Sequence, residues 1–212
     1  MNSTIEKIKE SLEFCFGEQI GATVRWHETE PSRPERPAGY GLENLSALVL
    51  EEHFYNFSLW HVEDDARCVN VSDCIIADCK RRIDRLNQQR NDCIEVVDRC
   101  LYAVLEPLLP AVAAQRQNTE TAGMALDRLS ILALKIYHMQ EQTERVDVDA
   151  RHLRNCSEKL SILRRQREGL AQALLELISD YVAGCKVPVL YSQFKMYNDP
   201  ALNPKLYGKR TG

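Results

Sequence analysis

Between Lys80 and Val104 the apolar residues recur at the helical period. One seam runs Ile83, Arg90, Val97, Val104, and its neighbours run Leu86, Cys93, Cys100 and Asn87, Ile94, Leu101. Such a stripe marks a helix with one face in a core. Asn87 and Arg90 interrupt it three residues apart, one turn from each other on the same face. An amide and a guanidinium are costly to bury without partners, so other helices must bring acceptors to that level.

The same period predicts the remaining elements. Ser3 to Glu6 has capping-box spacing and opens a short helix carrying Ile5, Ile8, Leu12 and Phe16, which Gly17 and Gly21 end. His27 to Gly41, rich in Pro and Gly, reads as a loop. A second helix, about Leu42 to Arg67, has the stripe Leu50, Phe54, Phe57, His61, Asp64. The third starts at Ser72 or Asp73 and continues to about Glu106, where Pro107 and Pro110 end or kink it. The fourth, about Thr121 to Glu141, has two stripes: Leu126, Leu129, Ala133, Ile136, and Met124, Asp127, Ile131, Leu134, His138. The fifth, about Asp149 to Ala183, has the seam Leu153, Cys156, Leu160, Leu163, Arg167, Leu170, Leu174, Leu177, Tyr181, and Gly184 stops it. The tail from residue 185 has too many prolines for a helix and too many aromatics for simple disorder. It reads as an extended arm whose Tyr191, Phe194, Met196 and Tyr197 bury against the bundle or a second copy.

The expected fold is therefore all-α: a single helical domain over 1–212, with a four-helix core at 42–184. A short helix and loop at 1–41 precede the core, and the C-terminal arm at 185–212 follows it. Composition agrees, since 44% hydrophobic and 27% charged residues are ordinary for a globular chain, and nine glycines and eight prolines leave long uninterrupted stretches. No apolar run approaches the ~20 residues of a membrane span. The acid-bearing start, MNSTIEKIKESLEF, is unlike a signal or transit peptide, which points to the cytoplasm. Eight cysteines without a single CxxC read as reduced core thiols. The net charge of −4 is uneven, the body being acidic and the tail from Lys186 basic. That balance argues against general nucleic-acid binding.

Four helices set polar residues into apolar rows: His61 and Asp64, Asn87 and Arg90, Asp127 and His138, and Arg167. A buried ion-pair network holding the bundle in register explains any one of them. Together they favour a ligand site, since convergent polar groups in a helical core are a common site pattern. The expected catalytic groups are His61, Asp64, Asp127 and His138, acting by acid–base chemistry, and the expected ligand-binding groups are Asn87, Arg90, Asn91 and Arg167. A metal held by His61, Asp64, Asp127 and His138 is the weaker reading, because the Glu-x-x-His signature of di-iron bundles is absent; no metal or cofactor is assigned. Asp92, Glu95 and Asp98 suggest the acidic helix of an all-helical nucleotide pyrophosphatase, but they lie off the seam and read better as a solvated face.

Four runs in order, NFSLWHVEDDAR (56–67), KRRIDRLNQQRND (80–92), ETAGMALDRLSILALKIYHM (120–139) and FKMYNDP (194–200), resemble a bacterial family. It is named as a domain of unknown function, number forty-two fifty-four in that series, and the resemblance spans roughly residues 45–208. It implies a helical domain encoded beside genes for glycosyl transfer to surface polysaccharide, and carries no reaction, cofactor or catalytic residue. Two function classes follow. One is an enzyme acting on a phosphorylated or nucleotide-linked sugar. The other is a non-catalytic bundle that partners a glycosyltransferase, or a second copy of itself, through the arm.

Overall fold

The computed structural model describes residues 2–112, 116–194 and 199–207. The chain is all-α, with helices α1 (Asn2–Glu28), α2 (Leu45–Ala66), α3 (Asp73–Leu105), α4 (Ala122–Thr143), α5 (Ala150–Val182) and a short α6 (Pro204–Tyr207). The four-helix core expected from periodicity is present as α2–α5, with α2 packed on α3 and α4 on α5 as antiparallel neighbours joined by connections. Among the described residues no helix is long and apolar enough to cross a membrane.

The N-terminal helix runs well past the expected stop. α1 continues through Gly17 and Gly21 to Glu28, so part of the expected 27–41 loop is helical. Each glycine costs a helix about 1 kcal/mol relative to alanine, a deficit that tertiary burial offsets here. Ile8, Leu12 and Ala22 are fully buried, as is Gln19, whose amide donates to the Leu126 carbonyl 3.0 Å away on α4. Ile8, Leu12, Cys15 and Phe16 join the same core cluster as Leu101, Leu129 and Ile178.

Helix ends follow local chemistry. Thr121 caps α4 by accepting from the Met124 N–H at 3.1 Å, and Asp149 caps α5 by accepting from the His152 N–H at 2.7 Å. Gly184, at φ 72°, closes α5 while the Cys185 N–H returns to the Asp180 carbonyl at 2.9 Å. The α3 seam is buried at Cys93, Ile94, Val97, Cys100 and Leu101, and opens toward its N-terminal half, where Ile83, Leu86, Asn87 and Arg90 are only partly covered.

α2 departs most from its expected pattern. It packs on α1, α3 and α4, so its buried positions (Leu45, Leu48, Val49, Glu51, Glu52, His53, Tyr55, Asn56, Phe57, Leu59, Val62) surround the helix rather than forming one stripe. The acidic row on α3 is solvated only in part: Asp92 is exposed, but Asp98 is buried, accepting from Thr121 Oγ1 at 2.5 Å and the Gly123 N–H at 2.6 Å. It anchors the start of α4. Burial pushes its carboxyl up to about 6, against the pull of those two donors. Glu95, one turn earlier, accepts from the Gln193 N–H at 2.7 Å and so tethers the arm.

Residues 187–194 form no regular secondary structure, and the burial expected for the arm's aromatics is not seen within the chain: Phe194 is 84% exposed and Tyr191 is exposed as well. Met196 and Tyr197 lie outside the described residues. Among the described residues every cysteine is free, and burial raises the thiols of Cys15 and Cys93 to about 12 and of Cys100 to about 11. Those three are core residues rather than nucleophiles.

Candidate functional site

Two adjacent acids, Glu51 and Glu52, are buried in the middle of α2. Their side chains leave the helix in different directions and are neutralised differently. Glu51 turns toward the 29–41 loop, where Arg36 donates from Nε at 2.6 Å and Arg33 Nε lies at 3.4 Å. Glu52, 1% exposed, has no such cation in contact. Burial, and then the neighbouring Asp127 carboxylate, hold its carboxyl well above the usual carboxylate range, and only the more distant charge of Arg90 pulls the other way. Burial thus favours the protonated form of Glu52.

Asn56, one turn on, ties this level together. Its amide nitrogen donates to Glu52 Oε1, to Asp127 Oδ1 at 2.9 Å and to Ser130 Oγ at 2.9 Å. Ser130 in turn meets His53 Nδ1 at 2.7 Å, and His53 Nε2 meets Thr23 Oγ1 at 3.0 Å. A chain of polar contacts thus crosses the core from α4 through α2 to α1. Burial, then the positive charge of Arg167, depress His53 to about 3, so this imidazole is neutral.

Asp127 links the network to an open cavity of about 330 Å³ lined by Asn56, Leu59, Trp60, Glu63, Asp64, Arg67, Asn87, Arg90, Ile131 and Leu134. Arg90 reaches into it with a side chain 24% exposed, its Nε 3.6 Å from Asp127 Oδ1. That Nε is sealed from solvent and makes no hydrogen bond. Asn87, whose Nδ2 donates to the Ile83 carbonyl at 3.0 Å, flanks it. An arginine lining an open cavity can grip an anion there, with the Asp127 carboxylate close by.

A second polar constellation lies on the other side of Trp60. His27 at the end of α1, His61 on α2 and His138 on α4 bring their ring nitrogens within 4.8 Å of one another. Tyr137 stacks on His27 at 3.9 Å, Trp60 on His138 at 4.6 Å, and Phe57 meets His61 edge-on at 4.5 Å. Burial, then the neighbouring His27 and His138, lower the pKa of His61. A cavity of about 640 Å³ opens from this cluster, with Trp26, His27, Glu30, His61, Asp65, Arg82, Arg85 and Gln89 on its walls.

The expected polar centre is thus divided in two. Asp64, Asn87 and Arg90 share one cavity, with exposed Asp64 at its rim, while Asp127 is not among the lining residues and meets Arg90 Nε at 3.6 Å. His61 and His138 belong to the histidine cluster instead. Asn91 is buried on α3 and is not among the cavity residues. Arg167, expected to bind ligand, is spent on the scaffold. It donates to the Phe16 carbonyl at 2.6 Å, the Leu129 carbonyl at 3.4 Å and Gln19 Oε1 at 3.4 Å. Burial lowers its pKa to about 10. Sequence reasoning missed Glu51, Glu52, His53 and Asn56, although a Glu-Glu-His run inside the apolar stretch 48–57 was a usable signal. It missed His27 because the helix was ended too early.

Residues 46–189 match the family described as protein of unknown function (DUF4254). The chain belongs to that family. The matched span covers all four core helices except Leu45, and includes Asn56, Asp64, Asn87, Arg90, Asp127 and His138, while His27 precedes it. No curated protein and no solved structure matches the chain.

Proposed function

We propose that the Arg90 cavity binds a phosphorylated or nucleotide-linked sugar, in the cytoplasmic stage of surface-polysaccharide synthesis that the family resemblance implies. The observation that carries this is Arg90 itself. Arg90 lines an open cavity, and its nearest acid, Asp127, stands 3.6 Å away rather than in a tight bidentate pair. A purely structural arginine is used as Arg167 is, on carbonyls at contact distance. Arg67 at the rim adds a second cation, and Trp60 offers an apolar wall for a sugar ring.

Acid–base roles in this reading fall on Asp127, beside Glu52, and on Asp64 at the rim. The test is a thermal-shift screen of the purified chain against sugar phosphates and nucleotide sugars, because a ligand binding only the native state raises the melting temperature. Stabilisation that disappears in Arg90→Leu supports the proposal, and a flat screen opposes it.

The second reading, an interaction bundle docking a glycosyltransferase or another copy of itself through the arm, has one observation in its favour. Phe194, Tyr191 and Leu190 are exposed on a segment held to the body by the Val187 N–H bond to the Arg116 carbonyl at 2.9 Å. Exposed apolar side chains on an ordered strap suit a docking edge.

A further inference from the structure

We propose that His27, His61 and His138 form a three-imidazole site for a divalent transition metal of the zinc class. The three residues come from α1, α2 and α4, far apart in sequence, yet one ring nitrogen of each lies within 4.8 Å of the others.

The hydrogen bonds fix which nitrogens are free. His27 Nδ1 lies 2.7 Å from the Thr23 carbonyl, which can only accept, so Nδ1 bears the proton and Nε2 keeps its lone pair. His138 Nδ1 lies 2.7 Å from Glu141 Oε2, so in the neutral ring Nδ1 bears the proton and Nε2 keeps its lone pair. Both Nε2 atoms are sealed from solvent and have no hydrogen-bond partner. Two orphaned acceptors at one point are costly in a core and are what a cation would satisfy. A ligating histidine that donates its other N–H to a carbonyl or carboxylate is the usual support of a metal site.

The rings are also held in place, His27 by Tyr137, His138 by Trp60 and His61 by Phe57. Zinc–nitrogen bonds of about 2.0–2.1 Å put tetrahedral ligands about 3.3 Å apart, so the rings close by at most about 1.5 Å on loading. Three imidazoles leave the fourth position to water or an oxygen ligand. The cavity lined by His27 and His61 provides the route to it, and Arg82 and Arg85 on its walls favour an anion there. This inference does not depend on the reading of the Arg90 cavity.

The rival zinc ligands are thiols, above all Cys156, whose Sγ lies 3.3 Å from His152 Nε2. The metal-free full chain is titrated with Zn2+ against a chromophoric chelator, and with Co2+ while recording the visible spectrum. We expect one metal per chain and four-coordinate cobalt bands without thiolate charge transfer. His61→Gln and His138→Gln should each weaken zinc by about 100-fold, Glu141→Gln by about 10-fold, and His152→Gln not at all. Absence of stoichiometric binding, a cobalt–thiolate charge-transfer band, or unchanged affinity in His61→Gln would each overturn the assignment. If a histidine variant does not fold, the wild-type cobalt spectrum still decides between imidazole and thiolate ligation.

Discussion

Glu52 and Asp127 place two carboxyl groups against each other inside the helical core, with Asn56 donating to both. Two anions at that depth would repel strongly, and burial, then the Asp127 carboxylate, raise the pKa of Glu52 well above the usual carboxylate range.

This has a consequence for stability. As pH rises through about 4.5 the unfolded chain releases the Glu52 proton while the native chain retains it. The native state then binds more protons, and stability falls with pH by at most about 1.4 kcal/mol per unit. Glu52→Gln keeps a neutral, hydrogen-bonding side chain and abolishes this loss. In urea melts the variant should gain on the wild type as pH rises above about 4.5. A variant that instead falls further behind as pH rises would mean that Glu52 is ionised and paired with Arg90.

His53 acts in the opposite direction. Its pKa drops from 6.5 to about 3 on folding, so below 6.5 the unfolded chain takes up a proton that the native chain refuses. Stability is lost as pH falls through that window. The His53 ring signals in an NMR titration should stay at their neutral positions until the protein unfolds in acid. Titration of the ring near 6.5 in the folded chain would refute its burial between Ser130 and Thr23.

Much of the scaffold was legible because α3 and α5 each face the core with one side. The Val97, Cys93, Cys100 seam and the Cys156, Leu160, Leu174, Leu177 seam are buried as their spacing required. α2 was not legible in the same way. Helices pack on it from several directions, so burial carries no single period, and Glu51, Glu52, His53 and Asn56 hide within it. The end of α1 was misplaced since glycine propensity is a weak signal against the burial of Gln19, Ala22 and Thr23. His27 went with it. Arg90 and Arg167 look alike in sequence, each one arginine in an apolar seam, and only the acceptors around them tell a cavity from a scaffold.

Gly123 illustrates a constraint that helix propensity would mispredict. A Cβ there would come within 2.8 Å of the Asp98 carboxyl and of the Ile94 carbonyl oxygen on α3. Gly123→Ala should therefore cost about 1–3 kcal/mol through overpacking, although alanine is the better helix former. A denaturant midpoint equal to or above wild type would show that α3 and α4 can separate at this contact.

The most direct measurement compares Arg90→Leu with Arg167→Met in urea melts and in calorimetric titrations with sugar phosphates and nucleotide sugars. Arg167→Met removes the buried donors that the Phe16 and Leu129 carbonyls and Gln19 Oε1 accept from, and should cost about 2–4 kcal/mol. Arg90→Leu removes a partly solvated, loosely paired charge and should cost about 1 kcal/mol or less, at unchanged denaturant slope. It should also abolish the ligand heat that wild type gives. A stability loss for Arg90→Leu as large as that for Arg167→Met, with ligand binding intact, would make Arg90 a scaffold residue and contradict the assignment of the cavity.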